Sequence, residues 1–228
     1  MNDRRFGSEP SLEGQTFQWA ETENTSRRRR GLALKRLLDI ALSAVLLVIL
    51  FPLLLLIALA VKLSSAGPVL YKWQVMGMGG VPFVGYKFRS MFRDADQRKA
   101  ELLSANEMSG PAFKMTNDPR ITSVGRILRK YSLDELPQLW NVLKGDMSLV
   151  GPRPPLQSEY AHFSEWQKRK LMVKPGLTCL WQVSGRNQIK DFDEWIRLDL
   201  QYIAHWNLAL DLLIIIRTIP VVIFGRGK

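Results

Sequence analysis

One feature limits what this chain can become: an apolar run from Leu37 to Leu63 with a proline, Pro52, near its middle. About 25 residues at ~1.5 Å each make a helix long enough to cross a ~30 Å hydrocarbon layer. Proline removes a backbone donor and clashes with the preceding turn, so it kinks or ends a helix. Each half alone reaches only about 20 Å. Basic residues flank the run on both sides: Arg27 to Arg30, Lys35 and Arg36 before it, Lys62 and Lys72 after it. A single span gathers its positive charges on one side of the membrane. Two readings stay open on the residues alone. In one, the helix enters the bilayer, bends at Pro52 and returns to the same face; in the other it is an ordinary span with a proline kink. The double basic flank favours the first. A secretory signal is not expected, because the run starts too far into the chain and is too long.

Composition narrows the partners. At 228 residues and 46% hydrophobic, the chain buries one substantial core and is not disordered throughout. Its 32 Lys and Arg against 21 Asp and Glu leave a net charge of +11, which calls for a polyanionic partner. Anionic lipid and phosphorylated small molecules both satisfy that charge. Nucleic acid would too, but no reading module for it is visible and the apolar run speaks against it. The single cysteine, Cys179, excludes an internal disulfide and a cysteine-based zinc site. His162 and His205 lie far apart, so any metal is a hard cation on carboxylates.

The expected architecture is α/β, mainly helical with a few short strands. Residues 1–30 read as a polar and basic tail, 31–66 as the re-entrant membrane helix, and 67–228 as a globular domain. Val69 to Tyr71 and Pro82 to Arg89 are expected strands around the glycine-rich turn Gly77 to Gly80. Helices are expected over Asp94 to Ser104, Ile121 to Lys130, from Ser132 through Leu143, Gln157 to Met172 and Trp195 to Ile203. A last apolar stretch, Leu208 to Phe224, contains Asp211, Arg217 and Pro220. Charges are costly at a bilayer centre, so a helix lying in the membrane interface or a buried core helix fits better than a second span.

The most informative local sequence is Ser132-Leu-Asp-Glu135. On its own it reads as a capping box, with Ser132 as N-cap and Glu135 reaching back to the Ser132 amide. A carboxylate at a helix N-terminus is stabilised in its ionised form by ~0.3–1 kcal/mol at an exposed site. Such a group can serve as a nucleophile toward phosphorus, and a neighbouring carboxylate can hold a magnesium ion that bridges phosphate oxygens. Two adjacent carboxylates need cations to stay charged. Arg126, Arg129 and Lys130 precede the pair, and Lys144 and Arg153 follow it. Arg153 is bracketed by prolines, and its planar fork suits phosphate.

Three segments carry a resemblance: Lys87-Phe-Arg89-Ser-Met91, the run from Ser132 through Asp134, Glu135 and Lys144 to Pro154, and Lys174-Pro-Gly-Leu-Thr178 with Trp181-Gln-Val-Ser-Gly-Arg-Asn187. With them the sequence resembles the bacterial sugar transferase family, the monotopic phosphoglycosyl transferases that begin exopolysaccharide and glycoconjugate synthesis. The resemblance extends over nearly everything from Lys35 onward. It implies the compact form of the family and a re-entrant helix broken at proline. Its implied chemistry transfers a sugar 1-phosphate from a UDP-sugar to polyprenyl (undecaprenyl) phosphate and releases UMP. Asp134 matches the family's nucleophile, which forms a covalent phosphosugar intermediate, and Glu135 its ligand for Mg²⁺. Lys87, Arg89, Arg129 and Arg153 match basic positions near the phosphates. Arg186 lies in the Gly-Arg-Asn segment near the nucleotide or sugar, and Asp211 matches a further acidic position. The implied location is the cytoplasmic face of the bacterial inner membrane, with phospholipid as a further partner. An apolar interfacial surface is also compatible with a homodimer. Two departures stand out: Trp73-Gln-Val-Met-Gly-Met-Gly-Gly80 lacks the arginine that relatives often place near its start, and Cys179 stands where relatives carry glycine.

Overall fold

The computed structural model describes residues 25–185 and 188–225. Its first half is set by the proline. Helix α1 (Thr25–Ile49) stops, and helix α2 (Phe51–Ser64) starts again with Pro52 in its first turn, where a missing N–H costs nothing. The two helices are bent by 64°. No single helix among the described residues is long and apolar enough to cross a membrane, whereas the bent pair together passes by length and composition. Large apolar side chains remain exposed on both arms, among them Val48, Ile49, Phe51, Leu56 and Leu63.

Both arms are fastened to the globular part. From α1, Lys35 pairs with Asp211 at 2.7 Å, and Arg36 donates to the carbonyls of Val142 and Leu143. Asp39, buried despite its charge, accepts from the Leu149 amide at 3.0 Å. From α2, Ile57 and Val61 pack with Phe88 and Leu128. An acid in an apolar helix is tolerated when it faces protein and finds a donor, and Asp39 does both.

Strands β1 (Leu70–Met76) and β2 (Pro82–Phe88) form an antiparallel hairpin, with Leu70 opposite Phe88 and Trp73 opposite Gly85. Gly79 and Gly80 adopt left-handed backbone in the connecting turn. The first strand is longer than its apolar residues indicated, because Gln74 sits within it and pairs like its neighbours. Residues Gln97–Ala105 form 3-10 turns with no buried residue instead of the expected α-helix. Without an apolar face to bury, a helix there gains nothing from packing.

Helix α3 (Ser123–Lys130) is capped by Thr122, whose side chain accepts from the Gly125 amide. Helix α4 (Gln138–Lys144) follows, and then the parallel pair β3 (Ser148–Val150) and β4 (Gly176–Thr178). The backbones cross so closely there that a Cβ on Gly176 would lie 2.0 Å from the Gly151 nitrogen. The polar segment expected as one helix to Met172 is instead two single turns, α5 (Gln157–Tyr160) and α6 (Glu165–Lys168), and a 3-10 turn. After α7 (Leu180–Val183), helix α8 (Phe192–Ala204) buries Phe192, Trp195, Ile196, Tyr202 and Ile203. At ~1.5–3 kcal/mol per buried large apolar side chain, α8 is a principal source of core stability. Helix α9 (Leu208–Ile223) buries Asp211 and Ile214 and leaves Leu212, Ile216, Ile219 and Ile223 exposed, so it is half core helix and half apolar surface.

Candidate active site

Asp134 and Glu135 sit on a single 3-10 turn, Leu133–Glu135, between α3 and α4, and both are buried. The expected capping box does not form. Ser132 enters the turn at φ 53°, the only non-glycine residue at positive φ among the described residues, and its side chain caps nothing. An N-cap needs extended backbone to aim its oxygen at the following amides, and left-handed backbone does not provide that. Pro137, with no N–H to give to the Leu133 carbonyl, also keeps an α-helix from running through, so α4 begins at Gln138. Backbone bonds hold the turn: the Ser132 amide donates to the Arg129 carbonyl at 3.1 Å, and the Glu135 amide to the Ser132 carbonyl at 3.2 Å. Left-handed backbone at serine costs ~1–3 kcal/mol and persists only where its surroundings enforce it.

Two cations converge on this turn. Lys87, from β2, donates to Glu135 Oε1 at 3.0 Å, and Arg153 reaches the same oxygen at 3.3 Å. Burial pulls the Lys87 ammonium below the ordinary lysine value, and Arg153 pushes the same way, against the attraction of Glu135 and Asp134. For Arg153 burial also works against charge, yet Glu135 and Glu159 outweigh it and keep the guanidinium more firmly protonated. The Arg153 loop is stapled on both sides. The Met76 amide donates to the Pro155 carbonyl at 3.0 Å, and the Gly176 amide to the Pro152 carbonyl at 2.9 Å. Prolines restrict the backbone and these bonds fix its position, so the guanidinium is presented with little freedom to lose.

Other expected site residues are placed elsewhere. Arg89 points into the end of α2, where it donates to the carbonyls of Val61, Ser65 and Pro68. It holds an otherwise unpaired helix terminus rather than the carboxylate pair. Asp211 accepts from Lys35, Tyr202 and Trp206 and ties α1 to α8 and α9. Its nearest link to the turn is indirect, since Lys35 and Tyr202 also bond the Val150 carbonyl at the base of the Arg153 loop. Burial raises the Asp118 carboxyl, but its bonds with Arg120 outweigh that and hold it below the ordinary value. Arg129, in the last turn of α3, adds a smaller pull in the same direction. Of the other cations flanking the pair in sequence, Lys144 pairs with Asp146 and Lys130 lies over the Tyr131 ring. Arg186 lies outside the described residues.

Several contributors carried no obvious mark in the sequence. Asn141, fully buried, donates to the Val84 carbonyl and accepts from the Tyr86 amide, which locks α4 to β2 beside Lys87. Behind Arg153, Lys170 and Asp199 form an ion pair at 2.6 Å, each with 1% of its side chain exposed. Burial raises the Asp199 carboxyl despite the pull of Lys170. Cys179, beside this pair, is pushed up to about 12 by burial and by Asp199, so it is a packing residue and not a nucleophile.

The turn carries donors of the kind that Mg²⁺ takes, carboxylates, though Glu135 Oε1 is also engaged by Lys87 and Arg153. Mg²⁺ takes one or two carboxylates and completes its shell with water and substrate phosphate. Asp134 and Glu135 supply two adjacent carboxylates, and no group of three His, Cys, Asp or Glu residues that could hold a metal by itself exists among the described residues.

A carboxylate pair on a strained turn is answered by a strand lysine and a proline-bracketed arginine, donor types that can bind phosphate oxygens. The chain belongs to the bacterial sugar transferase family, whose sequence profile matches residues 30–225. It is 52% identical over 164 residues to the galactosyl transferase CpsE of Streptococcus agalactiae, covering 72% of this chain and 36% of that one. It is 44% identical over 209 residues to the undecaprenyl-phosphate galactose phosphotransferase of Salmonella typhimurium, covering 90% and 44%. To the exopolysaccharide production protein ExoY of Rhizobium meliloti it is 41% identical over 198 residues, covering 85% and 87%. The chain therefore spans less than half the length of the first two relatives and most of the third.

Proposed function

We propose that this chain transfers a sugar 1-phosphate from a UDP-sugar to polyprenyl (undecaprenyl) phosphate, and so initiates exopolysaccharide or glycoconjugate synthesis. The observation that carries this reading is the convergence of Lys87 and Arg153 on the buried Asp134–Glu135 turn. In the first step an Asp134 carboxylate oxygen attacks the phosphorus bonded to the sugar. The P–O bond to the α-phosphate breaks, and UMP leaves with the bridging oxygen. In the second step a phosphate oxygen of the polyprenyl carrier attacks the same phosphorus. The acyl-phosphate bond breaks, the Asp134 carboxylate is restored, and the lipid leaves as a diphosphate sugar.

Little of this requires proton transfer, because phosphoryl transfer depends on alignment and on neutralising charge. Lys87 and Arg153 bind and orient the diphosphate oxygens. Glu135 would hold Mg²⁺, which when bound neutralises phosphate charge and withdraws electrons from phosphorus, while Asp134 beside it is the nucleophile. Galactose, the sugar in the names of two relatives, and glucose are the first donors to test. The acceptor is a lipid, and the bent α1–α2 pair, gripped at both arms by the globular part, favours a re-entrant attachment over a span. Such an attachment would keep both arms and the catalytic part on one face, and the basic flanks favour the cytoplasmic face of the inner membrane, with phospholipid as a structural partner.

The test is UMP release from a panel of UDP-sugars, with and without polyprenyl phosphate. Wild-type protein should release UMP, and Asp134→Asn should lower the rate by at least about a thousandfold while leaving membrane attachment unchanged. Equal turnover in that variant would remove Asp134 from the nucleophile role.

A further inference from the structure

Trp73, in the middle of β1, is 8% exposed. Its ring, like Glu135, is shared by both site cations. Lys87 Nζ lies 4.2 Å from the ring centroid, and Arg153 Cζ lies 5.9 Å from it. We propose that Trp73 is a positioning residue that holds Lys87 and Arg153 as a matched pair over the Asp134–Glu135 turn. The inference rests on the reading of that turn as the reacting centre.

Two like charges that meet on one carboxylate oxygen repel each other, and here Arg153 does act against the ammonium of Lys87. Glu135 is the largest attraction offsetting this, with Asp134 adding to it for Lys87 and Glu159 for Arg153. When Glu135 also serves a metal ion, that attraction is divided, and the cations need a second hold. An indole face supplies one, since its quadrupole attracts cations and, carrying no net charge, neither repels the phosphate nor takes the place of its oxygens on the donors as a second carboxylate would. The hold comes from the sheet register. Trp73 pairs with Gly85, and a Cβ at that glycine would lie 2.2 Å from Trp73 Nε1. The ring therefore occupies the space of the missing side chain on β2, and Lys87, two residues further on, emerges on the same face. Glycine at position 85 is what lets the tryptophan lie between strand and cations.

The test compares Trp73→Leu, Trp73→Phe and Gly85→Ala. For UMP release, kcat/KM should fall about tenfold in Trp73→Leu and stay within about threefold of wild type in Trp73→Phe. Gly85→Ala should reproduce the leucine variant, because it displaces the ring without altering it. In a Lys87→Met background, Trp73→Leu should add less than a twofold further loss, since its main client is already gone. An undiminished tenfold loss in that background would mean that Trp73 only packs. A second readout needs no turnover: the thermal unfolding midpoint in detergent of Trp73→Leu, Lys87→Met and the double variant. Methionine keeps the packing volume at position 87 and removes the charge, so the two losses should fall short of additive if the ring holds the ammonium. Strictly additive losses overturn the inference. A wild-type protein silent on every UDP-sugar would instead refute the proposed transferase reaction, and the coupling would still judge Trp73.

Discussion

Lys87 is pulled two ways, by burial toward the neutral amine and by Glu135 toward the ammonium, and burial prevails. Its charge is therefore lost as pH rises through a value below that of an ordinary lysine. Because that charge faces phosphate in the proposed reaction, kcat/KM should decline on the alkaline side earlier than a solvent-exposed lysine would allow. Arginine does not deprotonate in this range. Lys87→Arg should keep some activity, with a lower maximum, and move the alkaline limb to higher pH; a limb that stays put would assign it to another group. The sequence pointed to Lys87 through its motif, and to Arg153 through the prolines around it. It misread Ser132, because the letters of a capping box also fit a left-handed turn. Only the neighbouring Pro137 carries a local reason for the helix to start later.

Among the elements, those with a strong local cause were legible. Pro52 divides the apolar run, the Gly79–Gly80 turn closes the hairpin, and α8 follows its apolar spacing. Elements defined by tertiary bonds were not. The segment from Gln157 to Met172 breaks into short turns because its hydrogen bonds go to caps: Glu159 turns back to the Leu156 amide, and Gln167 to the Ser164 amide. Its buried member, Lys170, is fixed by Asp199 across on α8. Removing one partner of such a pair leaves a buried charge and costs roughly 3–5 kcal/mol. Lys170→Met should lower the thermal unfolding midpoint in detergent by several degrees, and Lys170→Met with Asp199→Leu should recover much of the loss. The sign with pH follows from Asp199. A carboxyl whose folded value is raised contributes stability at low pH and loses it as pH rises, so the single variant's deficit should grow from pH 4 to pH 8. A deficit that does not change with pH would show that the lost pair was not what mattered.

Across the whole molecule, the sequence showed an apolar run divided by Pro52, basic flanks and a carboxylate pair, but not how they are joined. The joints are charged residues inside or beside apolar helices: Lys35 and Asp39 on α1, Arg89 against α2, Asp211 on α9. A chain read along its length shows such residues as blemishes in a hydrophobic pattern, and their partners lie over a hundred positions away for Lys35 and Asp39. Single cysteines placed before Leu37 and after Leu63 should label from the same side of the membrane. Labelling from opposite sides would make the bent pair a span.

The grip on both arms of the bent pair has a mechanical meaning. A helix tethered at one end could ride up and down in the lipid while the catalytic part kept its own height. Here α1 and α2 are both clamped to the body that carries Asp134, so for a re-entrant pair, depth of insertion and elevation of the carboxylates become a single coordinate. In the proposed reaction, bilayer thickness and leaflet composition would then act on the distance between the site and the carrier's phosphate, and the membrane would serve as the ruler against which the site is set.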